Sequence, residues 1–548
     1  MIHLERMTIA EIAVQAPVRF KQRTAFALYS NGRIERRVSY AEFGILSARF
    51  AALFRLLGLR AGSRLMLLSE NRPEWPIVFF GAARAGLVNV PVLTDFSAEQ
   101  INTIVLHAGV SAICVTERTT YKLTRETLNP ALPLIYIDRI ENNRVRVLCQ
   151  GREERLTLPE PSQELDSTGE DELSSVIYTS GTCGHSRGVM LSNRNLVFTA
   201  LKSRSLVKIF PHDRLLSVLP LAHTYECTLG LINAVMNGAS TTYLDRAPSQ
   251  SVLFPALQAV RPTAMVTVPL FIEKIYRHSV APKLLTQPLY RCFLTRPLAL
   301  YVAGRKLRAA FGSSLRFFGI GGAPLDEATE SFLRKVGFPY APGYGLTETA
   351  PLVAGTAPYR FPFRSAGSVL KGVDVRIVPL EGQVASDSKM PVGEIQVRGP
   401  NVMLGYYNDE QRTCEAFTPD GWLRTGDIGS LDRKRHLFIR GRIKAMILGP
   451  SGENIYPEEI ESLLSASHLV EEAVVYGDER GEIVALVVLS ERAKTMLATV
   501  GEKLDELKAI VNKKLAAFSR IHRIEIREEP FEKTATQKIK RLFAQLSR

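Results

Sequence analysis

Cysteine is scarce in this sequence of 548 residues, and its six cysteines lie far apart with no CxxC pair among them. This spacing excludes the usual zinc motifs and a dense disulfide framework, and it favours a reducing compartment. The N-terminal segment MIHLERMTIAEIAVQAPVRF carries Glu5 and Glu11 and lacks a continuous apolar core, which argues against a signal peptide. We therefore expect a cytoplasmic protein.

Long apolar runs are also missing. The longest uncharged stretch, residues 227–244, contains Asn233, Asn237 and two glycines. It falls short of the about 20 apolar residues that a membrane-spanning helix needs. We expect this stretch to lie in a buried core, so that any membrane contact is peripheral and made on the inner face of the membrane.

Acidic residues are outnumbered, since 55 Asp and Glu face 69 Lys and Arg and leave a net charge of +14. Such an excess attracts anionic partners, among them nucleotide phosphates, acidic lipid headgroups and nucleic acid. The basic residues are scattered along the chain, and neither paired zinc ligands nor an RNP strand accompanies them. Nucleic-acid binding is therefore not expected.

The periodicity of the sequence predicts its layers. From about residue 38 to 290, helical patterns such as AEFGILSARFAALFRLLG alternate with short apolar runs such as RLMLLS and SSVIYT, which predicts an α/β fold. Residues 365 to 440 are strand-like and rich in glycine, and they predict a β-rich subdomain. After Arg440 the patterns predict a separate small α+β domain. We place the domains at 1–440 and 441–548, with a short hinge between them near the segment GRIK.

The segment YTSGTCGHSRGVML, residues 178–191, follows the apolar run SSVIYT and is the most informative part of the sequence. Its glycines permit a close approach of backbone N–H groups to phosphate, and its hydroxyls and Arg187 add donors and charge. A flexible surface turn would show the same glycines, so the segment alone leaves both interpretations open. No GK[ST] closes it, which excludes the P-loop of kinases and GTPases.

This segment resembles the hallmark loop of the adenylate-forming (AMP-binding) superfamily, in which the chain is most similar to the long-chain fatty acid–CoA ligases. Five further segments resemble motifs of the same family in the same order: GYGLTETAP at 343–351, TGDIG at 425–429, GRIKAMI at 441–447, GENIYPEEIE at 452–461 and TATQKIKR at 534–541. The similarity extends from about residue 20 to 545.

The resemblance implies a fold and a reaction. The fold has a large N-terminal domain of two α/β subdomains and a β-rich subdomain, followed by a small mobile α+β C-terminal domain that rotates about Lys444. In the reaction, ATP with Mg²⁺ and a carboxylic acid give acyl-AMP and pyrophosphate. The thiol of CoA, the co-substrate, then displaces AMP.

The same resemblance assigns residues to the nucleotide. The phosphate-binding set in the first loop is Thr179, Ser180, Gly181, Thr182, Gly184 and Arg187. Tyr344 stacks on adenine with Gly345 leaving room beside it, Thr347 donates to the α-phosphate, and Glu348 binds Mg²⁺. Without the other motifs, the simpler interpretation of GYGLTET is a loop in which threonines cap a helix.

The remaining assignments complete the implied site. Asp427 accepts from the ribose hydroxyls, Arg442 contacts the ribose and phosphate region, and Lys538 offsets charge on the reacting carboxylate. His223 in PLAHTYE lies near that carboxylate, although a partly buried structural histidine fits the pattern as well. Gly322 and Ala323 in GIGGAPL, together with Gly321, line the adenine and acyl pockets.

Several positions depart from the family pattern: Cys183 replaces a threonine, Ser186 and Arg187 replace proline and lysine, and Gln537 replaces a glycine. The segments FIEKIYRHSV and PLAHTYE favour a medium- to long-chain fatty acid as substrate. Two alternatives stay open. The acyl group could pass to an acidic acyl carrier protein instead of CoA, or the chain could be a degenerate nucleotide- or acyl-binding protein without activity.

Overall fold

The computed structural model describes most of the chain. Its described residues are 1–124, 131–141, 143–161, 165, 169–179, 187–380, 390–448, 454–478, 482–495, 497–533, 539 and 541. Within them, no helix is both long and apolar enough to cross a membrane.

The helices alternate with strands through most of the N-terminal part of the chain. The α-helices are α1 (Ile9–Phe20), α2 (Tyr40–Leu56), α3 (Glu74–Arg84), α4 (Ala98–Ala108), α5 (Glu117–Thr120), α6 (Asn193–Ser203), α7 (Asn233–Asn237), α8 (Gln250–Val260), α9 (Pro269–Ile275), α10 (Ala281–Leu285), α11 (Pro288–Arg291), α12 (Arg296–Ala310), α13 (Glu327–Lys335), α14 (Glu410–Ala416), α15 (Pro457–Ser465), α16 (Glu491–Lys494) and α17 (Leu497–Asn512). Two π-helical segments, Glu226–Ile232 and Tyr276–Val280, precede α7 and α10.

The strands of the described residues build five sheets. They are β1 (Thr24–Ser30), β2 (Arg33–Ser39), β3 (Arg64–Leu68), β4 (Val88–Val92), β5 (Ala112–Val115), β6 (Leu134–Glu141), β7 (Arg144–Cys149), β8 (Arg152–Thr157), β9 (Leu173–Thr179), β10 (Arg187–Ser192), β11 (Arg214–Leu216), β12 (Ser240–Leu244), β13 (Ala264–Thr267), β14 (Phe317–Ile320), β15 (Tyr340–Tyr344), β16 (Ala354–Gly355), β17 (Ser368–Val369), β18 (Asp374–Val378), β19 (Gly393–Arg398), β20 (Gly405–Tyr406), β21 (Leu423–Leu431), β22 (Leu437–Arg442), β23 (Ile447–Leu448), β24 (Asn454–Ile455), β25 (Val470–Gly477), β26 (Ile483–Leu489) and β27 (Arg523–Arg527).

Two nine-stranded mixed sheets form the larger part of the structure. One has the order β17-β16-β15-β14-β13-β11-β12-β1-β2, and the other has the order β20-β10-β9-β4-β3-β5-β6-β7-β8. Their central strands are parallel, and β4, β5 and β13 are completely buried, as expected for apolar runs covered by helices on both faces. These sheets confirm the predicted α/β class.

The uncharged stretch 227–244 lies in this core, as predicted. It forms most of the first π-helical segment, then α7 and β12, and nearly all of its side chains are buried. Its residues Cys227, Leu231 and Val235 pack in the largest apolar cluster, against helices α1 to α3 and neighbouring strands.

The β-rich part is an antiparallel sheet of four strands in the order β18-β19-β21-β22. Beyond it, strands β25, β26 and β27 form a separate small sheet that packs against α15 and α17. The buried cluster of that last unit runs from Ile455 to Ile521 and contains no residue of the two large sheets. The small α+β unit is therefore present, while its mobility and the boundary at 440/441 stay predictions.

Candidate active site

Asp427 and Arg442 are brought face to face by the pairing of β21 with β22. The Nε atom of Arg442 lies 3.0 Å from Oδ1 of Asp427. The other carboxylate oxygen accepts a hydrogen bond of 2.7 Å from the hydroxyl of Tyr344, at the end of β15. Three residues that the sequence assigned to adenine, ribose and phosphate are thus joined in one cluster.

The electrostatics of this cluster follow from its geometry. The Asp427 side chain is nearly buried, at 6% exposure, and its negative charge is the main cause that raises the pKa of Arg442. Burial, followed by the charge of Asp427, raises the pKa of the Tyr344 hydroxyl well above its ordinary value. Tyr344 is therefore a neutral donor, and Asp427 offers acceptor oxygens on a surface where Arg442 remains a cation.

A second cluster joins Glu348 to the first loop through Tyr406. The hydroxyl of Tyr406 donates to Oε1 of Glu348 at 3.0 Å. The guanidinium of Arg187 lies 5.8 Å from the centre of the same ring, within the range of a cation–π contact. Strand β20 holds Tyr406 there by pairing with β10, with Val189 opposite Tyr406.

The segment around Thr347 is a tight turn rather than the start of a long helix. Residues Thr347–Thr349 form a single 3₁₀ turn, in which the hydroxyl of Thr349 accepts from the N–H of Leu346 at 3.0 Å. Thr349 therefore has the capping role, while among the described residues no hydrogen bond joins the side chain of Thr347 to another residue. A Cβ atom added at Gly345 would lie 1.6 Å from the carbonyl oxygen of Pro351, so the chain itself requires glycine here.

His223 lies in the loop before the first π-helical segment and is half-buried. Its Nδ1 accepts from the backbone N–H of Tyr225 at 3.1 Å. In the neutral ring this hydrogen bond places the proton on Nε2, which makes that atom a donor. The Tyr225 ring packs close to Gly321 in the loop after β14, whereas Gly322 and Ala323 are exposed.

An apolar pocket lies beside these residues, with about 590 Å³ of empty space that is partly open to solvent. Its walls come from α6, the first π-helical segment and strands β13 to β16. The lining residues are Ser203, Leu206, Val207, Ile209, Leu215, Tyr225, Leu229, Asn233, Ala264, Met265, Val266, Phe317, Gly319, Ala341, Pro342, Gly343, Leu352, Gly355 and Thr356. None of them is charged, and Gly343 directly precedes Tyr344, so the pocket adjoins the cluster of Tyr344, Asp427 and Arg442.

Other predicted residues are only partly placed. Thr179 and Arg187 are paired across β9 and β10, so the two ends of the first loop are neighbours. Within that loop Ser180, Gly181, Thr182 and Gly184 lie outside the described residues, as do the departures Cys183 and Ser186. Lys538 and Gln537 also lie outside them. Lys444 is exposed in the 3₁₀ turn Ile443–Ala445.

A Mg²⁺ site would have to be built around Glu348. Across the described residues, no group of three or more His, Cys, Asp or Glu side chains could hold a metal ion. Mg²⁺ needs no such group, because it is commonly held by one or two carboxylates and by substrate phosphates. The half-buried carboxylate of Glu348, oriented by Tyr406, fits that requirement.

Sequence reasoning missed Tyr406 and Glu226. Tyr406 lies in the segment LGYYND, whose two aromatic residues after a glycine predict a strand but no contact. Glu226 is 1% exposed beside the pocket, and burial raises its pKa to about 8. An acidic residue next to the apolar run CTLGLI was the one available signal for it.

Comparison with known proteins identifies the family of the chain. The model of the AMP-binding enzyme family matches residues 14–407, and that of the AMP-binding enzyme C-terminal domain matches residues 445–545. The long-chain-fatty-acid–CoA ligase FadD15 of Mycobacterium bovis is 30% identical over 538 residues, covering 88% of this chain and 86% of the relative. The peroxisomal long chain acyl-CoA synthetase 6 of Arabidopsis thaliana is 30% identical, covering 87% and 72%.

Solved structures show the same architecture. The O-succinylbenzoate coenzyme A synthetase of Bacillus subtilis, in complex with AMP, is 25% identical with a TM-score of 0.74 and covers 97% of both chains. A benzoate CoA ligase from Burkholderia xenovorans is 21% identical with a TM-score of 0.77, covering 99% of this chain and 100% of that one. The chain therefore belongs to the family of AMP-binding enzymes. Within this family it is an acid–CoA ligase of the AMP-forming kind.

Proposed function

We propose that this enzyme activates medium- to long-chain fatty acids, forming acyl-AMP and pyrophosphate from ATP and then a thioester with CoA. The proposed substrate class rests on the pocket beside Tyr344. The residues that line this pocket include no charged side chain that could pair with a polar acid. The names of the curated relatives support the same class.

In the first half-reaction, the chain's residues bind and orient ATP. Asp427 accepts from the ribose hydroxyls, Tyr344 packs against adenine, and Arg442 lies toward the phosphates. Glu348 would hold Mg²⁺, which supplies charge neutralisation at the phosphates when bound. The substrate carboxylate attacks the α-phosphorus in line and pyrophosphate leaves, so no covalent enzyme intermediate is needed.

Two residues act at the carboxylate in this proposal. His223 can donate from Nε2, since its Nδ1 is occupied by the N–H of Tyr225. Lys538, assigned by the family motif, would offset negative charge on the carboxylate and bridging oxygens. Rotation of the C-terminal domain about Lys444 would then admit the thiol of CoA.

The test is pyrophosphate release by purified protein with MgATP and a panel of saturated fatty, aromatic and amino acids, with and without CoA. Fatty-acid-dependent release followed by CoA consumption supports the proposal. Release without CoA consumption, with transfer to an acyl carrier protein, would support the carrier-protein alternative. No release with any acid would support a degenerate binding protein and contradict the proposal.

A pocket variant sharpens the test of substrate class. Val207 is half-buried and lines the pocket, so Val207→Trp should shorten the longest acid that is accepted. The matched control is Val18→Trp, because Val18 is 67% exposed on α1 and lies outside the pocket lining. An unchanged chain-length profile in Val207→Trp would remove the acyl chain from this pocket.

A further inference from the structure

Helices α10, α11 and α12, with the turns between them, form a helical module of residues 281–310. Phe293 and Leu294 in the turn before α12 are 81% and 84% exposed. They are the two most exposed of the large hydrophobic side chains in the described part of the chain. The exposure of such apolar side chains to water is unfavourable, and another surface that covers them would remove this cost.

The apolar surface continues along one face of α12. Leu298, Tyr301 and Val302 are 55%, 61% and 39% exposed, and their spacing of three and four residues places them on the same side of the helix. The opposite side is already packed, since Ala299 and Leu307 are buried in a core cluster. The outer face is therefore a second apolar surface, separate from the core.

The charge of the module is of one sign. Residues 281–310 contain six Lys or Arg and no Asp or Glu. All six are exposed, namely Lys283, Arg291, Arg296, Arg305, Lys306 and Arg308. No carboxylate of the described residues forms an ion pair with any of them. Arg305 and Lys306 follow the apolar residues of α12 by one turn, so the cations border the apolar face.

We infer that this module docks the protein onto an anionic lipid membrane. Phe293 and Leu294 enter the boundary between headgroups and acyl chains, while the surrounding cations bind acidic headgroups. Both features match a bilayer: two apolar side chains protrude from a turn, and Arg305 and Lys306 border the apolar face of α12. An acidic carrier protein would complement the cations, but its acidic surface would leave the side chains of Phe293 and Leu294 uncovered.

The module is connected to two strands that line the apolar pocket. The module lies between β13 and β14, two strands whose residues Val266 and Gly319 line the apolar pocket. Membrane docking would therefore hold the pocket-bearing domain against the phase in which long-chain acids accumulate. The inference itself depends only on the surface, and vesicle binding without ATP, acid or CoA tests it separately from the proposed activity.

The first experiment is co-sedimentation of the full-length protein with vesicles of phosphatidylcholine, alone or mixed with phosphatidylglycerol. The double variant Phe293→Ser with Leu294→Ser should weaken binding to the mixed vesicles by at least about tenfold. Its matched control is Leu56→Ser with Leu106→Ser, two side chains that are 66% and 69% exposed elsewhere. The control should bind as the unchanged protein does.

The cations are tested in the same assay. Arg305→Gln with Lys306→Gln should weaken binding by about 30-fold, given the attraction of each cation near an anionic surface. The exposed pair Lys371→Gln with Lys434→Gln is the control and should have a much smaller effect. Added salt should weaken binding of the unchanged protein, because salt screens exposed charges.

Insertion is tested with Phe293→Trp, since the two native tryptophans, Trp75 and Trp422, are only 0% and 9% exposed. Phospholipids brominated in their acyl chains should quench the new tryptophan, but not that of the control Leu106→Trp. Equal quenching of both, or binding that neither pair of module variants weakens, would overturn the inference. Binding to an acidic acyl carrier protein through the module, with no binding to vesicles, would overturn it as well.

Discussion

The hydroxyl of Tyr406 donates a hydrogen bond of 3.0 Å to Oε1 of Glu348, joining residues that are 58 positions apart. Tyr406 lies on β20, which pairs with β10 beside the first loop. The side chain proposed to hold Mg²⁺ is thereby oriented from a strand that pairs with β10, the strand in which the first loop ends. Such an outer partner fixes a metal-binding carboxylate and tunes its affinity.

Tyr406→Phe removes this hydrogen bond and keeps the ring. We expect the Mg²⁺ concentration for half-maximal pyrophosphate release to rise by about tenfold, since the carboxylate loses its orienting partner. The neighbouring Tyr407→Phe is the control and should leave that concentration unchanged. Equal Mg²⁺ dependence in the unchanged protein and Tyr406→Phe would contradict the role of Tyr406.

Asp427→Asn tests the proposed ribose contact. The amide is nearly the same size, but it lacks the negative charge that pairs with Arg442, and only one of its two polar atoms can accept a hydrogen bond, whereas both oxygens of Asp427 are in use. A hydrogen bond to a charged group contributes about 1.5 to 3 kcal/mol, so KM for ATP should rise by about 10- to 100-fold. Asp420→Asn, on an exposed carboxylate paired with Arg376, should leave KM for ATP unchanged.

Arg187 stands where the family pattern has lysine, which makes its charge testable. Arg187→Ala should weaken ATP use, while Arg187→Lys should restore part of it, because lysine keeps the charge but not the planar guanidinium. The measurement is KM for ATP in the pyrophosphate assay. Wild-type ATP affinity in Arg187→Ala would refute the phosphate-binding role.

Local patterns predicted the elements well. The apolar run SSVIYT lies within β9, AEFGILSARFAALFRLLG corresponds to α2, and the uncharged stretch 227–244 is buried as expected. Such elements follow from short-range periodicity, which the sequence contains directly.

The contacts of the site could not be predicted in this way. Tyr344 and Asp427 are 83 positions apart, and their hydrogen bond depends on how two separate sheets pack. Tyr406 gains its role only through the pairing of β20 with β10, far away in the sequence. The family resemblance named Tyr344 and Asp427 individually, whereas their hydrogen bond requires the three-dimensional fold.

Gly345→Ala tests a constraint within the segment GYGLTET. The added Cβ would lie 1.6 Å from the carbonyl oxygen of Pro351, so the turn must shift and carry Tyr344 and Thr347 with it. We expect pyrophosphate release to fall by at least about 100-fold, since a displacement of about 1 Å can cost that much. The control is Gly501→Ala in α17, where nothing lies within 4 Å of the added atom. It should keep activity and stabilise the fold by about 0.5 to 1 kcal/mol.

Glu226 should make the stability of the folded state decrease as the pH rises. Burial raises its pKa from the ordinary 4.5 to about 8, opposed by a hydrogen bond with Ser217. Among the described residues, the Oε2 atom of Glu226 has no hydrogen-bond partner. Gly230 leaves space for the carboxyl group, since a Cβ atom added at Gly230 would lie 2.6 Å from Oε1 of Glu226. The folded state therefore favours the protonated carboxyl group.

Because the folded pKa lies above the unfolded one, the stabilisation linked to this proton is complete below about pH 4.5 and is lost as the pH rises to about 8. Glu226→Gln replaces the carboxyl group with a permanently neutral one. The Tm of the unchanged protein should therefore fall, relative to that of Glu226→Gln, as the pH rises through this window. Thermal unfolding over this pH range measures the difference, with the exposed Glu154→Gln as the control. A constant difference in Tm between the unchanged protein and Glu226→Gln would show that Glu226 does not titrate there.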